Sequence, residues 1–259
     1  MPRLLWTLVR LLKSSNRSAA ERPRNLRLGT LGSEHGNKTY VELSDISFGL
    51  VVCAGAGEDI SFDIELAIKE KSNIVIVDPT LRAVKHFREV SKRFGLPSEA
   101  SYSTSGVQPI ESYDLQTLSS KSVQFIQKAL WEKSTIVDFF SPKDPLHVSH
   151  SIVNLQGSDA DLTPQKVETI TLKEVLKMSD FHFVSLLKLD IEGAAYAVCR
   201  NAFKEGVFPR QIIVEFDELI HPTWQGLIRV LKLRLLLKEF KYVAVHSDGL
   251  ESTFLRQMK

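Results

Sequence analysis

Short apolar runs alternate with amphipathic segments through most of the chain. Residues 50–54 (LVVCA), 73–77 (NIVIV), 183–190 (FVSLLKLD) and 211–216 (QIIVEF) are runs of strand length. Continuous rather than alternating hydrophobicity is the mark of strands buried on both faces. A helical pattern fills about 59–70. Pro79 and Thr80 open a second helix, in which Ala83, Phe87, Val90 and Phe94 recur at helical spacing until Gly95 and Pro97 stop it. Helices are also predicted over 193–203 and 223–240, and another ends near Met178 after a short strand at 167–169. Strands at 242–246 and 252–257 flank the turn Ser247-Asp248-Gly249. The middle is less regular. There the pattern predicts a third strand at 100–105, a helix at 123–131, short strands at 135–140 and 151–155, and a loop at 157–164. Apolar strands separated by helices predict an α/β fold: a doubly wound, mostly parallel, Rossmann-like sheet with an irregular insertion before its fourth strand. Ligands bind such sheets at the carboxyl ends of the strands.

The first residues, MPRLLWTLVRLLK, form a basic amphipathic helix, with Leu4, Leu5, Leu8, Leu11 and Leu12 on one face and Arg3 and Arg10 on the other. Residues 14–25 read as a linker, so the chain divides into a helix and linker over 1–25 and a single domain over 26–259. The helix suits three roles: packing on its own domain, peripheral contact with a membrane through residues 1–13, or organelle targeting. No run of 18 apolar residues occurs, so no spanning helix is expected, and the expected location is cytoplasmic. With 43% hydrophobic and 25% charged residues, the composition is that of an ordinary globular chain. Lys plus Arg is 33 against 31 for Asp plus Glu, too balanced to imply a nucleic-acid partner. The two cysteines, Cys53 and Cys199, cannot build a disulfide framework or a four-cysteine zinc site. Both lie in apolar runs and read as small buried hydrophobes, which fits a reducing compartment.

The predicted strand ends carry the polar chemistry. Gly55-Ala56-Gly57 follows the first buried strand, where glycines let the backbone turn sharply and approach a ligand. A dinucleotide fingerprint needs a third glycine where this chain has Ile60, which disfavours a nicotinamide cofactor and leaves the two-glycine form that S-adenosylmethionine (SAM) enzymes use. Asp78 ends the second strand 21 residues after Gly57, the place of a carboxylate that accepts from ribose hydroxyls. Standing before Pro79, it also suits a helix N-cap. Lys188-Leu189-Asp190-Ile191-Glu192-Gly193 closes the third of these runs, and Lys188, Asp190 and Glu192 would share one face if the strand stayed extended. Glu215 ends the fourth, in Glu215-Phe216-Asp217-Glu218. His147 and His150 lie in PLHVSHS, without zinc spacing.

These residues together resemble the FkbM-type SAM-dependent methyltransferases. The likeness is carried by VVCAGAGEDISFDIELA, IVIVDPT, LLKLDIEGAAYAV and IIVEFDE, over about residues 45–220, and PKDPLHVSHS has the family's look as well. LLKLDIEG is the most specific block. GAGEDISFD resembles one branch of the family rather than its commoner form. The resemblance implies a class I methyltransferase fold, SAM as cofactor, and O-methylation of sugars, glycans or other small natural products. It implies that Gly55 and Gly57 contact SAM, that Asp78 holds the ribose, that Asp190 sits beside the methyl group, and that Glu192 and Glu215 line the same crevice. The position two before Gly55, commonly acidic in this fold class, is Cys53, and Glu58 and Asp59 are alternative partners for the methionine ammonium.

The expected reaction places an acceptor hydroxyl in line with the methyl group, with Asp190, His147 or His150 as general base. Segment 134–157 is expected to wall the acceptor site, Phe139 and Phe140 giving apolar surface and Lys143, His147 and His150 polar contacts. Asp190, Glu192 and Glu215 read either as an acid–base set or as a divalent-metal site. The metal-free reading is favoured because the sequence shows no fuller ligand set and Lys188 is adjacent, and it expects activity to survive chelation. Two other functions compete: a degenerate methyltransferase fold used as a binding module, which Cys53 supports, and a nicotinamide-dependent oxidoreductase.

Overall fold

A computed structural model describes residues 2–18, 26–140, 152, 165–220 and 222–257. Helix α1 (Pro2–Ser18) precedes an antiparallel hairpin of β1 (Leu28–Leu31) and β2 (Lys38–Val41). The alternating part runs β3 (Leu50–Ala54), α2 (Ser61–Glu70), β4 (Ile74–Val77), α3 (Leu81–Ser91) and β5 (Val123–Ile126). A small three-stranded unit of β6 (Ala129–Leu130), β7 (Ile136–Phe139) and β8 (Gln165–Ile170) comes next. The chain continues through α4 (Leu172–Lys177), β9 (Val184–Leu189), α5 (Ala195–Lys204), β10 (Gln211–Glu215), α6 (Trp224–Glu239), β11 (Tyr242–Ser247) and β12 (Glu251–Arg256).

Seven strands form the main sheet in the order β11-β12-β10-β9-β3-β4-β5. The five from β10 to β5 are parallel, and β12 runs antiparallel to both of its neighbours. Alternate residues of β3 enter different cores. Leu50, Val52 and Ala54 pack with Val198, Leu227 and Leu233 of α5 and α6. Val51 and Cys53 pack with Ile64, Leu66, Ala83 and Val90 of α2 and α3. A strand with helices on both sides has no solvent-facing side, which is why these runs are mostly apolar. The register also sets the site: Ala54 pairs with Leu189 and Val77, and Leu189 pairs with Val214. Four neighbouring strands therefore end level, and the residues just past them stand side by side. The chain order reverses between β9 and β3, the switch point where open α/β sheets leave a crevice.

Several expectations are corrected. Residues 100–105 form no strand. Their backbone is held by side chains, with Ser103 N donating to Gln108 Oε1 at 2.8 Å and Gln108 Nε2 donating to Ser105 O at 2.7 Å. The third sheet strand is β5, inside the segment expected to be helical. Its apolar residues fit either period, and pairing with β4 decides in favour of the strand. The insertion before the fourth strand is not wholly irregular, since β6, β7 and β8 pair within it. The expected strand at 151–155 and loop at 157–164 lie outside the described residues, apart from Ile152.

In α1 the apolar face is narrower than its leucines suggest. Val9 is buried, and Leu5, Leu8 and Leu12 pack on the core where α1 meets β11, while Leu4, Trp6 and Leu11 stay exposed. Among the described residues no helix is long and apolar enough to cross a membrane. Cys53 and Cys199 are both free and buried, as expected.

Candidate functional site

The level strand ends open onto a cavity of about 280 Å³. Gly55, Gly57, Glu58, Asp59, Asp78, Asp190, Glu192 and Glu215 all line it, joined by Lys38 and Asp217. Ala129, Leu130, Phe139 and Ile152 supply an apolar wall from the insertion.

The glycine turn is locked to its neighbours. Gly55 N donates to Val77 O at 3.1 Å, and Asp190 N donates to Ala54 O at 3.0 Å. Gly55 has φ +85°, and a Cβ built there would lie 1.8 Å from the Asp190 carbonyl oxygen. Gly57 has φ +53°, and a Cβ there would meet nothing within 4 Å. Gly55→Ala therefore forces β3 and β9 apart, whereas Gly57→Ala bears only the roughly 1–2 kcal/mol of a left-handed residue. Urea unfolding should show the larger loss for Gly55→Ala; equal losses would contradict the close approach.

Asp78 is 5% exposed and braces this turn. Its Oδ2 accepts from Ala56 N at 2.8 Å and Gly57 N at 3.3 Å, while Oδ1 accepts from Thr80 N and Thr80 Oγ1. Asp78 is not the helix cap. Thr80 is, its hydroxyl accepting from Ala83 N at 3.3 Å, and Pro79 therefore precedes the cap instead of opening the helix. Asp59 holds the start of α2: Ser61 N and Gln108 Nε2 donate to it at 3.0 and 2.9 Å, and Ser33 Oγ donates at 2.5 Å. Burial pushes the Asp59 carboxyl up, but these hydrogen bonds outweigh it and hold it below the usual range. Glu58 pairs with Arg82, whose Nε donates at 2.7 Å.

Lys188 makes its ion pair with Asp63, not with Asp190. Its ammonium lies 3.2 Å from both oxygens of Asp63 on α2, with the two side chains 4% and 0% exposed. Burial raises the Asp63 carboxyl despite that ammonium. Cys53 is buried against the same Asp63 and does not line the cavity. The supposed shared face of Lys188, Asp190 and Glu192 does not form, because the strand ends at Leu189. The chain turns there through Glu192 at φ +47° and Gly193 at φ +81°. A non-glycine residue in that region costs free energy that the surroundings must offset.

The cation beside Asp190 is Lys38, from β2. Its Nζ lies 3.5 Å from Asp190 Oδ2, 2.6 Å from Glu215 Oε2 and 3.1 Å from Glu251 Oε2. The hairpin is fixed on the sheet edge-on: Val41 N donates to Gln211 Oε1 at 2.8 Å, and Thr253 Oγ1 donates to Thr39 O. Burial alone would lower the Lys38 pKa, but Asp190, Glu215 and Glu251 together hold it well above the usual lysine value. Glu215 is raised first by the charge of Asp190 and then by burial, against the pull of Lys38. Asp217, in the single turn Asp217–Leu219 after β10, is raised well above the usual carboxylate range by burial, then by Glu192, Asp190, Glu215 and Glu218.

The structure thus gathers the expected glycines and carboxylates into one crevice. It adds Lys38 and Asp217, which the sequence reading did not assign. Asp217 was visible as a carboxylate two residues past a buried strand. Lys38 gave no local signal, since its partners lie some 150 to 210 residues away in sequence. Lys143, His147 and His150 lie outside the described residues. So does most of the expected wall at 134–157, of which Phe139 and Ile152 reach the cavity.

The model of the Methyltransferase FkbM domain matches residues 83–244, a stretch that contains Asp190, Glu192, Glu215 and Asp217 and begins just after the glycine turn and Asp78. No curated protein and no solved structure is found to match the chain. With well over half of its length matched, the chain belongs to the FkbM methyltransferase domain family.

Proposed function

We propose that this methyltransferase is SAM-dependent and methylates a hydroxyl of a sugar, glycan or other small natural product, on a doubly wound class I fold. The observation that carries the reading is the meeting of Gly55, Asp78 and Asp190 on adjacent strand ends, around one cavity, in a chain of this family. The residues present fit SAM. Asp78 lines the cavity, but the bonds it accepts from Ala56 N, Gly57 N, Thr80 N and Thr80 Oγ1 fill its about four acceptor positions, so a ribose hydroxyl would take the place of one of these donors, the Thr80 hydroxyl or the 3.3 Å contact from Gly57 N. Asp59 and Asp190 line the cavity with carboxylates suited to a cationic sulfonium and ammonium, and Glu58 lines it too while paired with Arg82. When bound, SAM supplies an electrophilic methyl group.

The chain's own residues would do the rest. Asp190, with its side chain 36% exposed, faces the cavity and accepts the acceptor's hydroxyl proton. Lys38 fixes the positions of Asp190 and Glu215. Leu130, Phe139 and Ile152 keep water from that end of the cavity.

The binding-module alternative loses its main support, because Cys53 is buried against Asp63 and removes no group from the cavity. Ile60, which stands where a dinucleotide fingerprint needs glycine, is buried in the core and continues to disfavour a nicotinamide cofactor. The test is release of S-adenosylhomocysteine across a panel of sugars, glycans and hydroxylated natural products. The expected result is release above the acceptor-free rate for a hydroxyl-bearing class. SAM binding without release on any acceptor would favour the binding module.

A further inference from the structure

Asp190, Glu215 and Asp217 each offer a carboxylate oxygen, and these oxygens lie within 4.8 Å of one another. We propose that the three form a binding site for one divalent, oxygen-preferring cation of the Mg²⁺ or Mn²⁺ class. The inference rests on reading the crevice as the acceptor end of a methyltransferase site.

Two observations carry it. The first is Asp217. It is 4% exposed, and its Oδ2 is buried with no hydrogen-bond partner among the described residues. A buried carboxylate oxygen without a donor is costly, so something must compensate it. The second is the charge balance. Lys38 is one positive charge shared by Asp190, Glu215 and Glu251. No ion pair reaches Asp217 among the described residues, and Arg229 on α6 pairs with Glu218 at 3.6 Å. Lys38 contacts one oxygen each of Asp190, Glu215 and Glu251. Each carboxylate keeps a second oxygen, and Asp217 closes the group.

The donor chemistry sets the ion. Three carboxylates with no His or Cys suit a hard cation rather than zinc or copper. Mg²⁺ bonds oxygen at about 2.0–2.1 Å and keeps several waters, so three neighbouring protein oxygens are enough to hold it. Asp190 and Glu215 are 36% and 26% exposed, which leaves ion positions open to the cavity for an acceptor oxygen. The preference for a metal-free site rested on the lack of a fuller ligand set and on the adjacent Lys188; Asp217 now completes a set of three carboxylates, and Lys188 is paired with Asp63.

The experiment titrates EDTA-treated, dialysed full-length protein with MnCl₂, following free Mn²⁺ by electron paramagnetic resonance. One saturable site is expected. Asp217→Asn should weaken it at least about tenfold, the lower end of what disturbing a metal site costs. Glu89→Gln, on the exposed face of α3, should leave it unchanged. Circular dichroism of each variant confirms folding, and the wild-type titration stands without any variant. No saturable Mn²⁺ binding to the wild type, or binding untouched by both Asp217→Asn and Asp190→Asn, would overturn the proposal. S-adenosylhomocysteine calorimetry on the same metal-free protein separates the two readings. Nucleoside binding without Mn²⁺ binding sinks only the cation site. Mn²⁺ binding without nucleoside binding sinks only the methyltransferase reading of the crevice.

Discussion

Lys188→Met should lower the unfolding free energy by about 3–5 kcal/mol, the cost of leaving one member of a buried ion pair uncompensated. Asp63 is completely buried on α2, and the Lys188 ammonium is its cation at 3.2 Å. The thiol of Cys53 is a weak donor and cannot replace that charge. The pair also joins β9 to α2, so its loss loosens the element that carries Asp190. The double variant Lys188→Met/Asp63→Leu removes both charges and should recover most of the stability, because apolar replacement of a whole buried pair is often neutral or better. Urea unfolding of the single and double variants measures this. A loss below about 1 kcal/mol for Lys188→Met, the size of an exposed pair, would contradict the buried geometry.

Asp190→Asn should reduce turnover by about 10²- to 10⁴-fold, the usual contribution of a positioned general base. The substitution keeps the shape and the backbone bonds. Asp190 N still donates to Ala54 O, and the carbonyl oxygen beside Gly55 stays where it is. S-adenosylhomocysteine should therefore bind within a few-fold of the wild-type affinity. Single-turnover rates with excess enzyme separate the chemical step from binding. Turnover within tenfold of wild type would remove Asp190 from its role, and loss of nucleoside binding would recast it as a residue of the cofactor pocket.

The parts of this architecture legible in the sequence are those where burial acts on every residue of a run. Residues 50–54, 184–189 and 211–215 are largely apolar because helices cover both faces, and their length of five or six residues marks them as strands rather than buried helices. β5 sits at the sheet edge, with Gln124 inside it and Gln127 and Lys128 directly after it, so local pattern alone could not separate strand from helix. The acidic strand ends were readable because charge is rare just after a buried run. Their counter-ions were not. Lys188 would share a face with Asp190, two residues on, only in a strand that stayed extended, but the strand ends at Leu189 and the Lys188 ammonium meets Asp63 on α2. Lys38 comes from a hairpin that only tertiary packing brings to β10 and β12. The capping role passed from Asp78 to Thr80 for a related reason: Asp78 is drawn to the amides of Ala56 and Gly57, which are distant in sequence but adjacent across the sheet.

Calorimetric titration of the purified chain with SAM, S-adenosylhomocysteine and NAD tests the central claim most directly. SAM and S-adenosylhomocysteine should bind at one site and NAD should not, and Asp78→Ala should weaken nucleoside binding by about 1.5–3 kcal/mol, the scale of a hydrogen bond to a charged group. Binding of NAD with no binding of SAM would contradict the account.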